Sequence, residues 1–247
     1  MRFALFRRVS ADPILIDVNH KGRSFEIALR RRQTAKRITL RVSNATGEVV
    51  MTIPERTELK TAQRFADAHG DWIASRLAKV PARVEFRPGA LVPLRGVPHK
   101  IVHWTNIRGT TRAMKSPEGE PIIAVSGERP HLARRVRDFL EAEARKDIAT
   151  AVKKHTMKLG VTAKRITVRD TTSRWGSCSA RGALNFSWRL ILAPPYILDY
   201  LAAHEVGHLR EMNHSARFWR LVHGLCPRTD EAESWLKRHG TELHRFG

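Results

Sequence analysis

The residues best placed to do chemistry lie together in the segment AAHEVGHLREMNH, which contains the pattern HExxH at His204, Glu205 and His208. On an α-helix, a spacing of four residues puts both imidazoles on one face, where each can reach a metal ion at about 2.0 to 2.1 Å. Glu205 leaves the helix about 100° round from His204, so its carboxylate faces a water on the metal rather than the metal itself. Zinc lowers the pKa of its bound water from about 15.7 towards ~7, and a nearby carboxylate takes the proton as the hydroxide attacks. The pattern therefore predicts a hydrolytic zinc site with two histidine ligands and Glu205 as the general base.

A catalytic zinc ion usually has three protein ligands and one open position, so a third ligand is needed. We predict that this ligand is His214, which lies ten residues after His204. The same offset occurs in the HExxHxxGxxH enzymes, but Glu211 replaces their turn glycine and no methionine follows Met212 to make a Met-turn. The chain is therefore outside that class. Asn213, which tolerates a left-handed conformation, is expected to reverse the chain just before His214.

Other ligand sets stay open at this point. A downstream glutamate, Glu231 or Glu233, is the alternative third ligand. Cys178 is an alternative fourth ligand, and it would close the site and make it structural. We expect Gly207, a small residue between the two helix histidines, to leave room for the metal.

Periodicity places this segment on a helix that follows a sheet. Residues 184–192 (LNFSWRLIL) alternate apolar and polar side chains like a half-buried strand, and residues 165–169 form a second such segment. Pro194 and Pro195 end the strand and suit the first turn of a helix, which is predicted to run to about Met212. A long helical pattern precedes these elements from His131 to about Lys158.

The first half of the chain is predicted to be mostly β. Lys36–Val42 and Glu48–Ile53 are typical of a hairpin, and Leu59–Val80 shows the helical period. The character of the sequence changes near Glu128–Pro130. We therefore predict a β-rich N-terminal domain with one helix at 1–127 and a catalytic domain at 128–247.

Composition limits the class of partner and the compartment. The chain has 45 Lys and Arg against 24 Asp and Glu, a formal charge of +21, which attracts polyanions such as nucleic acid or nucleotides. Two cysteines are too few for a disulfide framework, and no apolar stretch reaches the ~18 residues of a membrane span. Charged residues and a proline interrupt the N-terminal segment MRFALFRRVSADP before it reaches signal-peptide length. The sequence favours a cytoplasmic protein without a membrane partner, and it leaves the oligomeric state open.

Four blocks in this order resemble the YgjP-like metallopeptidase family, a relative of the SprT-like zinc proteases. They are RWGSCS from Arg174, FSWRLILAPP from Phe186, the HExxH helix, and NHSARFW from Asn213. The resemblance implies an α+β fold: a zincin-like metallopeptidase domain with the HExxH active-site helix, preceded by a smaller β-rich N-terminal part. It also implies one zinc ion per chain, held by His204, His208 and His214, with Glu205 as the catalytic base.

Three functions remain open for such a site. The leading hypothesis is a zinc metallopeptidase that acts on peptide or protein substrates, including nucleic-acid-associated proteins. The resemblance also implies, as an alternative, a metal-dependent pyrophosphohydrolase of nucleotides such as UTP. The third hypothesis is a basic nucleic-acid-binding protein with a structural or vestigial zinc site.

Candidate substrate-binding residues follow from these hypotheses. Arg174 and Arg189 would clamp phosphates while Trp175 or Trp188 stacks on a base. For a peptide, the strand that carries Asn185, within 184–189, would pair with the extended substrate by β-augmentation. Arg174 has a second reading, as the ion-pair partner of Asp170, and Trp175 and Trp188 as packing residues.

Overall fold

The computed structural model describes residues 14–43, 46–80, 82–105 and 109–247. They form a mixed α+β fold, which confirms the predicted class at that level. The N-terminal segment MRFALFRRVSADP lies outside the described residues. Among the described residues, no helix is both long enough and apolar enough to cross a membrane.

The chain divides into two compact units, residues 1–81 and residues 82–247. In the first unit, four strands form a sheet in the order β1-β2-β4-β3, with β2 and β4 parallel. The predicted hairpin is confirmed, since β3 and β4 pair antiparallel with Leu40 opposite Met51. The elements of this unit are β1 (Ile14–His20), β2 (Arg23–Arg32), β3 (Thr39–Val42), β4 (Val49–Pro54), α1 (Leu59–Ala68) and α2 (Gly70–Leu77).

The single helix predicted for 59–80 is two helices. His69 lies between them with φ −105° and ψ 12°, outside helical geometry. At the start of the second helix, Gly70 lies directly against His20 of β1, because a Cβ on Gly70 would lie 2.3 Å from the His20 ring. The helical period does not encode this contact between distant segments.

The second unit contains two sheets, a long helix and the helices that follow it. One sheet has the order β5-β6-β8-β7 and the other the order β10-β11-β9. The predicted long helix is confirmed as α3, which ends at Gly160 in the left-handed conformation. The elements are β5 (Leu91–Leu94), β6 (Val97–Trp104), β7 (Arg112–Lys115), β8 (Pro121–Ser126), α3 (Leu132–Leu159), β9 (Arg165–Arg169), β10 (Gly176–Cys178), β11 (Ala183–Ser187), α4 (Pro195–Gly207), α5 (Ala216–Leu225) and α6 (Thr229–His239).

The unit boundary lies at 81/82, so the boundary predicted at 127/128 is wrong. Ile101 of β6 and Ile123 of β8 share one apolar core with Leu140 of α3 and Val206 of α4. A division at 127/128 would cut through that core. The sheet of residues 91–126 therefore belongs with the helices that follow it.

The tip of the β5–β6 hairpin shows how this sheet is held in place. Arg95 and Gly96 both have positive φ, as a two-residue hairpin turn requires. Their backbone N–H groups donate to the carbonyls of Ile191 and Leu192, at 2.7 and 3.1 Å. Those carbonyls belong to a 3-10 helix, Trp188–Leu192, which replaces the second half of the strand predicted for 184–192.

We expect Leu140→Ala to lower the free energy of unfolding by about 2–5 kcal/mol, because it leaves a cavity in the core that α3 shares with α4 and with the sheet of residues 91–126. Leu140 is completely buried. Met157→Ala on the same helix is the control, since Met157 is 73% exposed. Urea denaturation of the two variants checks this; equal losses would contradict the assignment of α3 to the core.

Candidate metal centre

Helix α4 carries His204 and Glu205, and nine of its thirteen residues are buried. Pro195 occupies its first turn, where the missing N–H costs nothing, and the apolar core surrounds the residues that follow. Glu205 is 4% exposed and His208, the C-terminal cap of the helix, is 8% exposed. Both side chains therefore leave the helix inside the protein.

Three imidazoles converge at the end of this helix. Ligand atoms of His204, His208 and His214 all lie within 4.8 Å of one another. The Nε2 atoms of His204 and His214 are 3.1 Å apart. Two nitrogens bound tetrahedrally at 2.0–2.1 Å would be separated by about 3.4 Å. The spacing and the donor set fit a divalent metal ion such as zinc.

A tight turn brings His214 back to the helix. The backbone N–H groups of Arg210 and Glu211 both donate to the carbonyl of Gly207, at 3.0 Å each, and so close the turn. Ser215 then caps α5 by accepting from the N–H of Phe218. Asn213 has no positive φ, so the left-handed reversal predicted there is wrong.

Phe218 lies beneath all three imidazoles, and the sequence reasoning missed its role. Its ring stacks on His208 at 4.4 Å between centroids and meets the rings of His204 and His214 edge-on at 4.9 Å each. Gly207 favours this close packing, because a Cβ there would approach Phe218 and Val222 to 3.2 Å. Gly207 thus makes room for α5; that it also leaves room for a metal stays a prediction. A signal was present in the sequence: Phe218 and Val222 are apolar at helical spacing directly after the last histidine.

Burial favours the neutral, metal-binding form of His204 and His208. Burial, followed by the neighbouring His208 and His214, lowers the pKa of His204 to about 4. Burial also lowers the pKa of His208, partly offset by its hydrogen bond to the backbone carbonyl of Glu211. Metal ligation requires neutral histidine, so little proton release opposes it.

Glu205 is a buried carboxyl group whose Oε2 has no hydrogen-bond partner among the described residues. Burial raises its pKa to about 8, while the guanidinium of Arg174 acts in the opposite direction. Gly176 of β10 lies directly against it, because a Cβ there would be 2.4 Å from Oε1. A buried oxygen without a hydrogen bond destabilises the folded protein unless water or substrate donates a hydrogen bond to it.

Arg189 is a structural residue, not the substrate-binding residue predicted. Its side chain is 7% exposed and its Nε donates to Asp170 Oδ1 at 2.9 Å. Nη1 donates to the backbone carbonyls of Leu243 and Phe246, which ties down the C-terminal segment. Asp170 thus pairs with Arg189, and with Arg137 at 3.7 Å, and not with Arg174 as the second reading proposed.

The other substrate-binding candidates divide between packing and exposure. Trp188 is completely buried, and Trp175 stacks on His244 with ring centroids 4.7 Å apart. Both are therefore packing residues, the second possibility that the sequence left open. The side-chain amide of Asn185 faces Ser177 on the neighbouring strand at 3.4 Å. Arg174 is exposed and influences Glu205.

The alternative metal ligands lie elsewhere. Glu231 pairs with Arg228 at 2.6 Å, and Glu233 accepts a hydrogen bond from the hydroxyl of Tyr200 at 3.0 Å. Cys178 is near Glu205, which together with burial raises its thiol pKa to about 11, but it does not join the three histidines.

β11, the strand predicted to pair with a peptide, is already paired on both sides. β10 lies antiparallel along one edge of it and β9 parallel along the other. An additional strand can bind only at the outer edge of β10 or of β9. Of these two strands, β10 is the one that contacts Glu205 through Gly176.

Residues 36–239 match the family model described as YgjP-like, metallopeptidase domain. The chain belongs to the YgjP-like metallopeptidase family. Its matched region covers most of the chain and includes every residue of the candidate metal centre. Membership in the YgjP-like family indicates a metallopeptidase-type hydrolase that uses a metal ion.

Two further comparisons complete this picture. No curated protein matches the chain. Among solved structures, the zymogen of the metallopeptidase abylysin from Pyrococcus abyssi matches 35% of this chain and 89% of its own, with 22% identity and a TM-score of 0.33. That likeness is too low to define a shared fold.

We expect Arg189→Gln to lower the free energy of unfolding by about 3 kcal/mol, at the low end for a broken buried pair because Asp170 is partly exposed. The change removes the ion pair and the clamp on the C-terminal carbonyls together. Arg169→Gln, an exposed arginine on β9, is the matched control and should change stability by less than about 0.5 kcal/mol. Chemical denaturation measures both; a loss no larger than that of the control would contradict the structural role.

Proposed function

We propose that this protein is a zinc-dependent metallopeptidase whose catalytic unit, residues 82–247, has a zincin-like arrangement. One observation carries the proposal: three imidazoles converge beside the buried carboxyl group of Glu205, whose Oε2 has no hydrogen-bond partner among the described residues. His204, His208 and His214 would hold the ion. When bound, zinc makes water a nucleophile near neutral pH and polarises the scissile carbonyl.

Glu205 serves as the general base in this proposal. Its Oε2 is buried without a hydrogen-bond partner among the described residues, and in this proposal it accepts the proton that the attacking water gives up. Burial alone would keep this carboxyl protonated, but a cation nearby favours the charged form, as Arg174 already does. A carboxylate with a pKa raised towards neutrality can both accept that proton and pass it to the leaving amine.

A peptide fits the surroundings of this carboxylate better than a nucleotide does. The outer edge of β10 offers backbone groups to an extended chain, directly beside Glu205. The nucleotide clamp predicted from the sequence consists of Arg174, Arg189 and the arginines of the strand at 36–42, with Trp175 or Trp188 stacking on the base. Arg189 and Trp188 are buried and Trp175 stacks on His244, so Arg174 is the residue of this set that remains beside Glu205.

Glu205→Gln should retain zinc in a one-to-one ratio and reduce peptide hydrolysis by at least 1000-fold, since the variant lacks the base but keeps the ligands. Glu141→Gln on α3, where the side chain pairs with Arg145 at 2.8 Å, is the matched control. Turnover is measured on denatured casein and on a nucleotide panel, with and without a chelator. Wild-type protein that cleaves UTP but no peptide would favour the pyrophosphohydrolase. Wild-type protein that cleaves neither but binds nucleic acid in a salt-sensitive manner would favour the binding protein.

Gly176→Ala should reduce hydrolysis strongly while zinc binding persists, because the new methyl group would overlap the carboxylate of Glu205. Gly224→Ala is the control, since a Cβ at Gly224 meets open space. Zinc content, thermal stability and peptidase activity are measured for both. Full activity in Gly176→Ala would contradict the close approach of β10 to the base.

A further inference from the structure

A tyrosine and a glutamate lie behind the metal centre in a continuous hydrogen-bonded arrangement. Tyr200 is on α4, one turn before His204, and is only 4% exposed. Its hydroxyl donates to Glu233 Oε1 of α6 at 3.0 Å. The hydroxyl oxygen of Tyr200 also lies 3.4 Å from Nδ1 of His204. The path from α6 to the first histidine of HExxH thus runs through one phenol.

The donor inventory fixes the direction of these bonds. A phenol has one proton, and here it goes to the carboxylate of Glu233. Towards His204 the hydroxyl oxygen can therefore only accept, so the proton of the neutral imidazole must be on Nδ1. The Nε2 atom then carries a lone pair, and it is the atom that faces His214 at 3.1 Å.

The second helix histidine is held by the same logic with a different acceptor. Nδ1 of His208 lies 2.9 Å from the backbone carbonyl of Glu211, which can only accept. His208 therefore also presents an unprotonated Nε2. The two histidines of the motif have acceptors behind them, one from the backbone and one from a side chain.

We propose that Tyr200 and Glu233 are positioning residues that hold His204 in its Nδ1–H tautomer and in the orientation required for metal binding. The inference rests on the proposed metal centre. Glu233 then lies behind a metal ligand, whereas the sequence left it open as an alternative third ligand. Hydrogen-bond acceptors behind a metal-bound histidine typically change metal affinity by 10- to 100-fold.

The chain contains its own control for this arrangement. Tyr196 lies one turn earlier on α4 and near Glu231 of α6, whose charge, after burial, raises the pKa of the Tyr196 hydroxyl. The two residues repeat the tyrosine–glutamate pair. The ring of Tyr196 is covered by the guanidinium of Arg228 at 3.6 Å. The residue one turn after Tyr196 is Tyr200, so this pair has no histidine to position.

The test compares the two pairs by zinc affinity, measured by competition with a chromogenic chelator. Tyr200→Phe and Glu233→Ala should bind zinc 10- to 100-fold more weakly than the wild type. Tyr196→Phe and Glu231→Ala should change the zinc affinity by less than about 3-fold. The side chain of Glu231 is about half exposed and pairs with Arg228, and such surface pairs contribute little. Glu233→Gln keeps an acceptor for the phenol and should recover most of the affinity lost in Glu233→Ala.

Nitrogen-15 NMR of the metal-free protein gives a second readout that does not depend on activity. The wild type should show His204 protonated on Nδ1, and Tyr200→Phe should shift it towards a mixture of tautomers. Thermal melts of the full chain identify any variant that is merely unfolded, and Glu233→Ala, on a partly exposed residue, keeps the test decisive if Tyr200→Phe misfolds.

Two failures are distinguishable. Wild-type protein that binds no zinc would overturn the metal centre and this inference with it. Wild-type protein that binds zinc, with Tyr200→Phe and Glu233→Ala as tight as their controls and the His204 tautomer unchanged, would overturn the positioning role alone.

Discussion

The close packing of α5 against α4 at Gly207 is the contact on which the candidate site depends. The absence of a side chain at residue 207 lets Phe218 pack closely beneath the imidazoles, because a Cβ there would lie 3.2 Å from its ring. His214 has no helix of its own and comes from the connecting turn, so its position follows from where α5 lies. A wider separation of the two helices would move the third imidazole away from the other two, and the metal site would lose a ligand.

The same packing creates the electrostatic character of the site. Apolar surroundings favour neutral groups, which lowers the pKa of His204 and raises that of Glu205. Both shifts oppose charge in the metal-free protein. A divalent cation bound by the three histidines would supply a positive partner for Glu205, so the proposed ligands and the proposed base would complement each other in one environment of low dielectric constant.

The surrounding fold supports the site from behind. Helix α3 packs on α4 and on the sheet of residues 91–126, and the fully buried His155 of α3 contacts Asp199 of α4 at 2.8 Å. On the other side, Arg189 joins the end of β11 to Asp170 and to the C-terminal segment. These contacts restrain the first part of α4 and the end of β11, as a preorganised site requires.

The sequence by itself determined the features that depend on local spacing. A separation of four residues on a helix fixes the relation of His204 to His208, and helical and alternating periods located α3, β9 and the β3–β4 hairpin. His214 was also found from spacing, because a turn of limited length cannot carry it far from the helix end. The tertiary structure alone decided which arginine is buried, that Trp188 belongs to the core, that residues 91–126 share the core of the catalytic unit, and that Glu233 lies behind His204. Each of these depends on contacts between segments far apart in the chain, and a local pattern of residue types contains no record of which segment will cover it.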